Sequence, residues 1–234
     1  MLITGLQTLT LLDFPGKVAC TVFLGGCNFR CPWCHNSEFL ENPRAVMTEQ
    51  ELLRFLESRR GLLEGVCVSG GEPTLQPGLP ALLRNIKALG YAVKLDTNGS
   101  RPEVLAELLE EKLVDYVAMD VKNSMPRYAP TAGLVRLELQ AIRESLTLLL
   151  DGDTDYELRT TVVKPFHDVK SMEAVALTLE LLSENKAKRF FLQPFVDRET
   201  VLFGGFSAPD AAELAAMKAA LEPACESVEI RGID

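Results

Sequence analysis

The 234 residues suffice for one substantial hydrophobic core, and 47% hydrophobic with 24% charged residues exclude a disordered or low-complexity chain. A formal net charge of -9 excludes nucleic acid or anionic lipid as the main partner, because clustered positive charge is what holds both. No run of eighteen apolar residues occurs, and the N-terminal segment lacks a basic stretch followed by a continuous apolar one, so a cytoplasmic protein without membrane contact is expected.

Short β-branched runs alternate along the chain with longer segments whose apolar residues recur at three and four, the pattern of repeated strand–helix units beginning near residue 18. The first half reads as strand Val18–Leu24, helix Thr48–Arg59, strand Gly65–Ser69, helix Gly78–Leu89, strand Ala92–Thr97 and helix Pro102–Glu111. The second half reads as strand Tyr116–Val121, helix Val135–Leu150, strand Glu157–Val163, helix Ser171–Glu184, strand Arg189–Phe195 and helix Pro209–Leu221. Thr48 with Glu51 forms a capping box, Pro102 suits a first helical turn, and Gly90 closes the second helix. Asn123–Gly133 and Val196–Ser207 read as the longest irregular connections. Such alternation is α/β, with a parallel sheet and right-handed crossovers in a single domain over residues 1–234. Periodicity leaves open whether the sheet winds as an incomplete barrel or as an open doubly wound sheet.

Six cysteines stand at positions 20, 27, 31, 34, 67 and 225, half of them within eight residues, which suits a metal centre better than a disulfide framework. Cys27, Cys31 and Cys34 lie in the loop Gly25–Asn36, directly after the first strand. A cubane cluster normally takes four thiolates, so three would leave one iron open to an outside ligand. The other reading of the same spacing is a structural zinc site of Cys27, Cys31, Cys34 and His35.

C-x3-C-x2-C after the first strand, with an aromatic residue before the last cysteine, resembles the signature of radical S-adenosylmethionine enzymes, over essentially the whole chain. Asp13-Phe-Pro-Gly16, Cys34-His-Asn36, Gly70-Gly-Glu-Pro73, Asp96-Thr-Asn-Gly99 and Asp120-Val-Lys122 resemble the motif series of glycyl-radical-enzyme activating proteins. Gly5-Leu-Gln-Thr with Leu12-Asp-Phe-Pro-Gly-Lys17 is most like the group that activates anaerobic ribonucleoside-triphosphate reductase. The resemblance implies a partial (βα)6 barrel and a 4Fe-4S cluster on the three cysteines. It further implies S-adenosylmethionine as cofactor, flavodoxin or ferredoxin as electron donor, and a glycyl radical enzyme as partner. No second cysteine cluster follows Cys34, so one iron–sulfur centre is expected.

Gly70, Gly71 and Glu72 end the second expected strand, on the sheet edge where α/β folds place ligands. By resemblance they bind the amino end of S-adenosylmethionine; by composition alone they are a sharp turn. Asp96 and Asn98 end the third strand and Asp120 and Lys122 the fourth, so all four should face the mouth that holds the cluster. Two converging carboxylates repel unless a cation lies between them; Asp96 and Asp120 could hold a monovalent ion, which the resemblance also implies, or polar groups of a ligand. Lys122 suits a carboxylate or a substrate carbonyl. Arg159, entering an apolar strand, needs a partner, and resembles an arginine that faces the cofactor; a surface position is the alternative. The resemblance gives Trp33 a main chain turned to adenine and a packed ring, and His35 a positioning part. Val196 stands where activators of pyruvate formate-lyase carry histidine. Cys20, Cys67 and Cys225 read as buried structural thiols. Asp13 is a turn residue or a contact to the partner's loop. Other readings are an activator of a pyruvate formate-lyase-type enzyme, a small-molecule radical enzyme such as a 7-carboxy-7-deazaguanine synthase relative, and a non-enzymatic metal-binding module.

Overall fold

The computed structural model describes residues 1–40, 43–201 and 203–232, with only the main chain of Phe39. The strands are β1 (Ile3–Thr10), β2 (Ala19–Leu24), β3 (Gly65–Gly70), β4 (Ala92–Thr97), β5 (Tyr116–Asp120), β6 (Asp155–Val162), β7 (Phe190–Pro194) and β8 (Val228–Ile230). The helices are α1 (Glu49–Ser58), α2 (Leu79–Ala88), α3 (Pro102–Glu110), α4 (Met125–Thr131), α5 (Leu139–Asp151), α6 (Val169–Leu182) and α7 (Ala211–Leu221). The strands form one eight-stranded sheet in the order of the sequence, β1 to β8. That order decides between the two windings: a doubly wound sheet reverses direction at a switch point, whereas a barrel adds each strand on the same side. The fold is therefore the mixed α/β partial barrel.

Two compact units divide the chain, the first comprising residues 1–28, 36–97 and 103–118, the second residues 29–35, 98–102 and 119–234. In the first, β2, β3 and β4 pair in parallel, Thr21 opposite Cys67 and Cys67 opposite Lys94. Val22, Val66, Val68, Val93 and Leu95 are buried, as continuous apolar strands of a parallel sheet require. Thr48 and Glu51 form the capping box expected of α1, and Gly90 takes a left-handed conformation after α2. In the second unit β6, β7 and β8 pair in parallel, and α6 and α7 each open on a capping box, from Asp168 and Asp210.

Four expectations need correction. The strand–helix pattern is preceded by β1, which pairs antiparallel with β2 through two register shifts. It buries only Ile3 and Thr10 fully, so its edge position left little apolar signal in the sequence. The short β8 was likewise not expected. The Asn123–Gly133 stretch is not irregular, because α4 lies within it. Pro126 falls in the first turn, where a missing N–H costs nothing, and buried Asn123 donates to Thr131 Oγ1 and the Phe166 carbonyl. Finally, α5 starts four residues later than periodicity suggests: Glu138 accepts from Gln140 N as its N-cap, and Val135 is left fully exposed. The Val196–Ser207 connection is irregular as expected, with Leu202 outside the described residues. Among the described residues, no helix is long and apolar enough to cross a membrane.

Candidate active site

In the first unit, Cys27 follows Gly25 and Gly26 directly after β2. The main chain beyond β3 is tied to this loop: Gly71 N donates to Leu24 O and Glu72 N to Gly26 O, both at 2.8 Å. A Cβ on Gly71 would lie 2.0 Å from Gly26 O, so only glycine permits this approach. Gly70 has φ +116°, and a Cβ there would lie 2.4 Å from Leu24 O. Asn36 Nδ2 donates to Gly70 O at 3.1 Å, joining the Cys34-His-Asn36 motif to the glycine pair. Glu72 is fully buried, and its Oε1 accepts from Thr74 N, Thr74 Oγ1 and Thr97 Oγ1. The carboxylate thus braces the turn that carries the two glycines against the end of β4.

Asp96, next to last in β4, has both carboxylate oxygens engaged: Ser69 Oγ donates to Oδ2 at 2.9 Å and Lys94 Nζ to Oδ1. Lys94 is 1% exposed, and neither composition nor motif had singled it out. Asp13, in the β1–β2 connection, accepts from Thr21 Oγ1, while Phe14 beside it packs on Ala19 and Tyr116.

In the second unit, Cys34 N donates to Cys31 O at 3.0 Å, a turn that sets the two cysteines on one short bend. The bend is anchored by α4, for Arg30 N donates to Ala132 O at 2.8 Å, and a Cβ on Gly133 would lie 1.8 Å from Arg30 O. Burial pushes the Cys31 thiol up; the Lys122 ammonium opposes this, while Cys34 and Asp120 add to it. Trp33 is buried, its ring 4.7 Å from Phe166 and edge-on to His167 and Phe206, so the ring packs as the resemblance implies. His35 stacks on Phe195 with ring centroids 5.6 Å apart, and its Nε2 lies 2.7 Å from Val196 O. Asn98 accepts from Ser100 N at 2.9 Å, shaping the turn after β4.

Asp120, the last residue of β5, is flanked by two cations: Arg159 Nε donates to Oδ1 and Lys122 Nζ to Oδ2, each at 3.0 Å. Burial works against its ionisation, but the guanidinium and ammonium outweigh it and hold the carboxyl well below the usual range. Burial likewise disfavours the Lys122 ammonium, and the Asp120 carboxylate more than reverses this, so Lys122 stays charged. Arg159 thus has the partner that its place in an apolar strand demands. Behind it, Arg231 makes two hydrogen bonds to the carboxylate of buried Glu157, at 2.8 and 2.7 Å, and its guanidinium lies 3.3 Å from the Phe191 ring centroid. His167 Nε2 lies 2.8 Å from Lys122 O, fixing the main chain beside the lysine. Sequence reasoning missed Glu157, His167 and Arg231, whose pairing joins positions far apart in the chain.

All six cysteines are thiols, with no disulfide among the described residues. Cys20, Cys67 and Cys225 are buried, and burial pushes the Cys20 and Cys225 thiols up to about 12. Among the described residues, no three or more His, Cys, Asp or Glu side chains are grouped as around a single metal ion.

Residues 21–181 match the family described as the Radical SAM superfamily. A protein of Methanocaldococcus jannaschii, named "Putative glycyl-radical enzyme activating enzyme", is 35% identical over 184 residues, covering 76% of this chain and 75% of that one. A 7-carboxy-7-deazaguanine synthase of Thermococcus kodakarensis is 27% identical over 150 residues, 55% of this chain and 58% of its own. Among solved structures, a domain of pyruvate-formate lyase-activating enzyme from Bacteroides vulgatus aligns with a TM-score of 0.59 over 72% of this chain and 99% of that one. At 20% identity, that likeness is one of fold.

Proposed function

The chain belongs to the radical SAM superfamily, and on that premise we propose that it cleaves S-adenosylmethionine reductively to generate a glycyl radical in a partner enzyme. The observation that carries this reading is the 35% identity to the Methanocaldococcus jannaschii protein across three quarters of both chains. When bound, a 4Fe-4S cluster and S-adenosylmethionine would supply the electron and the sulfonium whose reductive cleavage gives methionine and a 5'-deoxyadenosyl radical.

Cys27, Cys31 and Cys34 would hold the cluster. The residues present fit such a pair of cofactors on two observations: three thiols lie within eight residues, and the Gly70–Gly71 turn is held against the loop that carries Cys27, by Gly71 N on Leu24 O and Glu72 N on Gly26 O. Gly70 and Gly71 would take the amino end of S-adenosylmethionine, with Glu72 bracing their turn. Asp96, Asn98, Asp120, Lys122 and Arg159 supply polar and charged groups for the remainder of the cofactor, and Trp33 turns its main chain to adenine. His35, stacked and hydrogen-bonded, positions the last cysteine and holds the Val196 main chain.

The resemblance also implies a monovalent cation beside Asp96 and Asp120, as an alternative to side-chain cations there. Each carboxylate has tethered positive charge, Lys94 at Asp96 and Lys122 with Arg159 at Asp120, and this shifts the weight toward side chains as the balancing cations.

The preferred partner is anaerobic ribonucleoside-triphosphate reductase, supported by the Gly5-Leu-Gln-Thr and Leu12–Lys17 segments and by Val196 in place of histidine. Flavodoxin or ferredoxin is the proposed donor, and Asp13 the proposed contact to the partner's glycine loop. Anaerobic reconstitution, reduction and chromatographic detection of 5'-deoxyadenosine test the first step; a reduced, iron-loaded protein that leaves S-adenosylmethionine intact would overturn it. A second reading, a small-molecule radical enzyme, is favoured by the match to 7-carboxy-7-deazaguanine synthase, over a shorter span and at lower identity.

A further inference from the structure

Lys94 is a lysine withdrawn from water, 1% exposed in the middle of β4. An ammonium is stable in such a place only beside an anion. Asp96, two residues on and so on the same face of the strand, is that anion, with Lys94 Nζ donating to Oδ1. The surroundings complete a cage drawn from neighbouring strands of the first unit. Ser69 of β3 donates to Asp96 Oδ2, the Cys67 sulfur lies 3.9 Å from Nζ, and the Tyr116 ring centroid of β5 lies 6.0 Å from it. The ring face adds a weak attraction for the same cation.

We propose that the Lys94 ammonium is the built-in counter-cation of Asp96. It fixes the position and charge of that carboxylate, and occupies the role that a free monovalent ion would otherwise fill there. Lys94 is thus a positioning residue, acting through Asp96. Asp96's contact with the cofactor rests on the proposed function, whereas the ion balance rests on the geometry alone.

The test separates the two. Replacing Lys94 by alanine removes the charge and leaves room beside Asp96 for a small hydrated ion. The thermal midpoint of Lys94→Ala should then rise saturably with Na+ or K+, at ionic strength held constant with tetramethylammonium, which is too large to enter. An ion that binds only the native state must produce such a rise. Wild type and the charge-neutral double variant Lys94→Met, Asp96→Asn should show no saturable rise. Wild-type binding of S-adenosylmethionine should be unchanged by Na+ or K+, while Lys94→Ala should bind it about tenfold more weakly in tetramethylammonium and recover with either ion. A saturable response of wild type to Na+ or K+ would overturn the proposal, as would a Lys94→Ala protein indifferent to both. If Lys94→Ala does not fold in any salt, the wild-type titration still decides. A wild type that never binds S-adenosylmethionine would sink the functional reading, while leaving the ion titration of the midpoint to judge Lys94.

Discussion

Arg159 Nε donates to Asp120 Oδ1 at 3.0 Å, so the last residue of β5 is held ionised by a guanidinium from β6. Lys122 takes the other carboxylate oxygen. The three side chains form a charged cluster with one excess positive charge, suited to an anionic group of a ligand.

Asp120→Asn should therefore weaken S-adenosylmethionine binding more than it lowers iron content, because the main chain of the cysteine bend is anchored from Arg30 N to Ala132 O at the end of α4. Equilibrium binding beside iron analysis of the same preparation reads both, and parallel loss of the two would contradict the assignment. The pair also carries a pH signature. The folded-state pKa of Asp120 is depressed, so its stabilisation is complete above the unfolded value of about 3.9 and is lost as pH falls through the lower folded value. Denaturant unfolding at acid pH should show a shallower loss of stability in Asp120→Asn than in wild type.

His167 gives a second pH dependence, in a different window. Burial lowers its pKa, so the unfolded chain binds the extra proton first. The folded state should lose stability as pH falls from the unfolded value of about 6.5 toward the lower folded one. A His167→Gln variant should lack this slope; an unaltered slope would assign it elsewhere.

Gly133 and Gly71 both touch the main chain of the cysteine loop. Gly133→Ala would place a methyl 1.8 Å from Arg30 O, at φ +70°. It should cost at least about 2 kcal/mol of stability or displace the bend that carries Cys31 and Cys34. Gly71→Ala meets Gly26 O at 2.0 Å and should disturb Cys27 instead. Urea unfolding with iron content checks both, and a wild-type result for either would remove that glycine from the construction of the loop.

Alanine at Cys27, Cys31 or Cys34 should abolish cluster assembly, since each removes one of three proposed protein ligands. Alanine at Cys225, buried far along the chain from that loop, should leave the iron content unchanged. Full iron and full cofactor cleavage in any of the three loop variants would refute the ligand set.

The buried strands were legible because Val22, Val66, Val93 and Leu95 sit in runs that only a strand of a parallel sheet buries on both faces. The cysteine loop and the glycine pair stood out because the residues of each lie close together in sequence. What escaped depends on tertiary partners. Pro126 and Pro130 make the Met125–Thr131 segment read as a loop, and only the hydrogen bonds of Asn123 around it show why a helix survives. Lys94 reads as an ordinary polar residue of an alternating strand until Asp96, Cys67 and Tyr116 surround it. The Glu157–Arg231 pair spans 74 residues, beyond the reach of any local pattern.

The central claim is that this chain places a radical on a glycine of another protein, and electron paramagnetic resonance tests it most directly. Anaerobically reconstituted protein, reduced and mixed with S-adenosylmethionine and anaerobic ribonucleoside-triphosphate reductase, should give the doublet of a glycine-centred radical, together with 5'-deoxyadenosine. Formation of 5'-deoxyadenosine with no protein radical, in the reductase or in a formate-lyase-type enzyme, would contradict the claim.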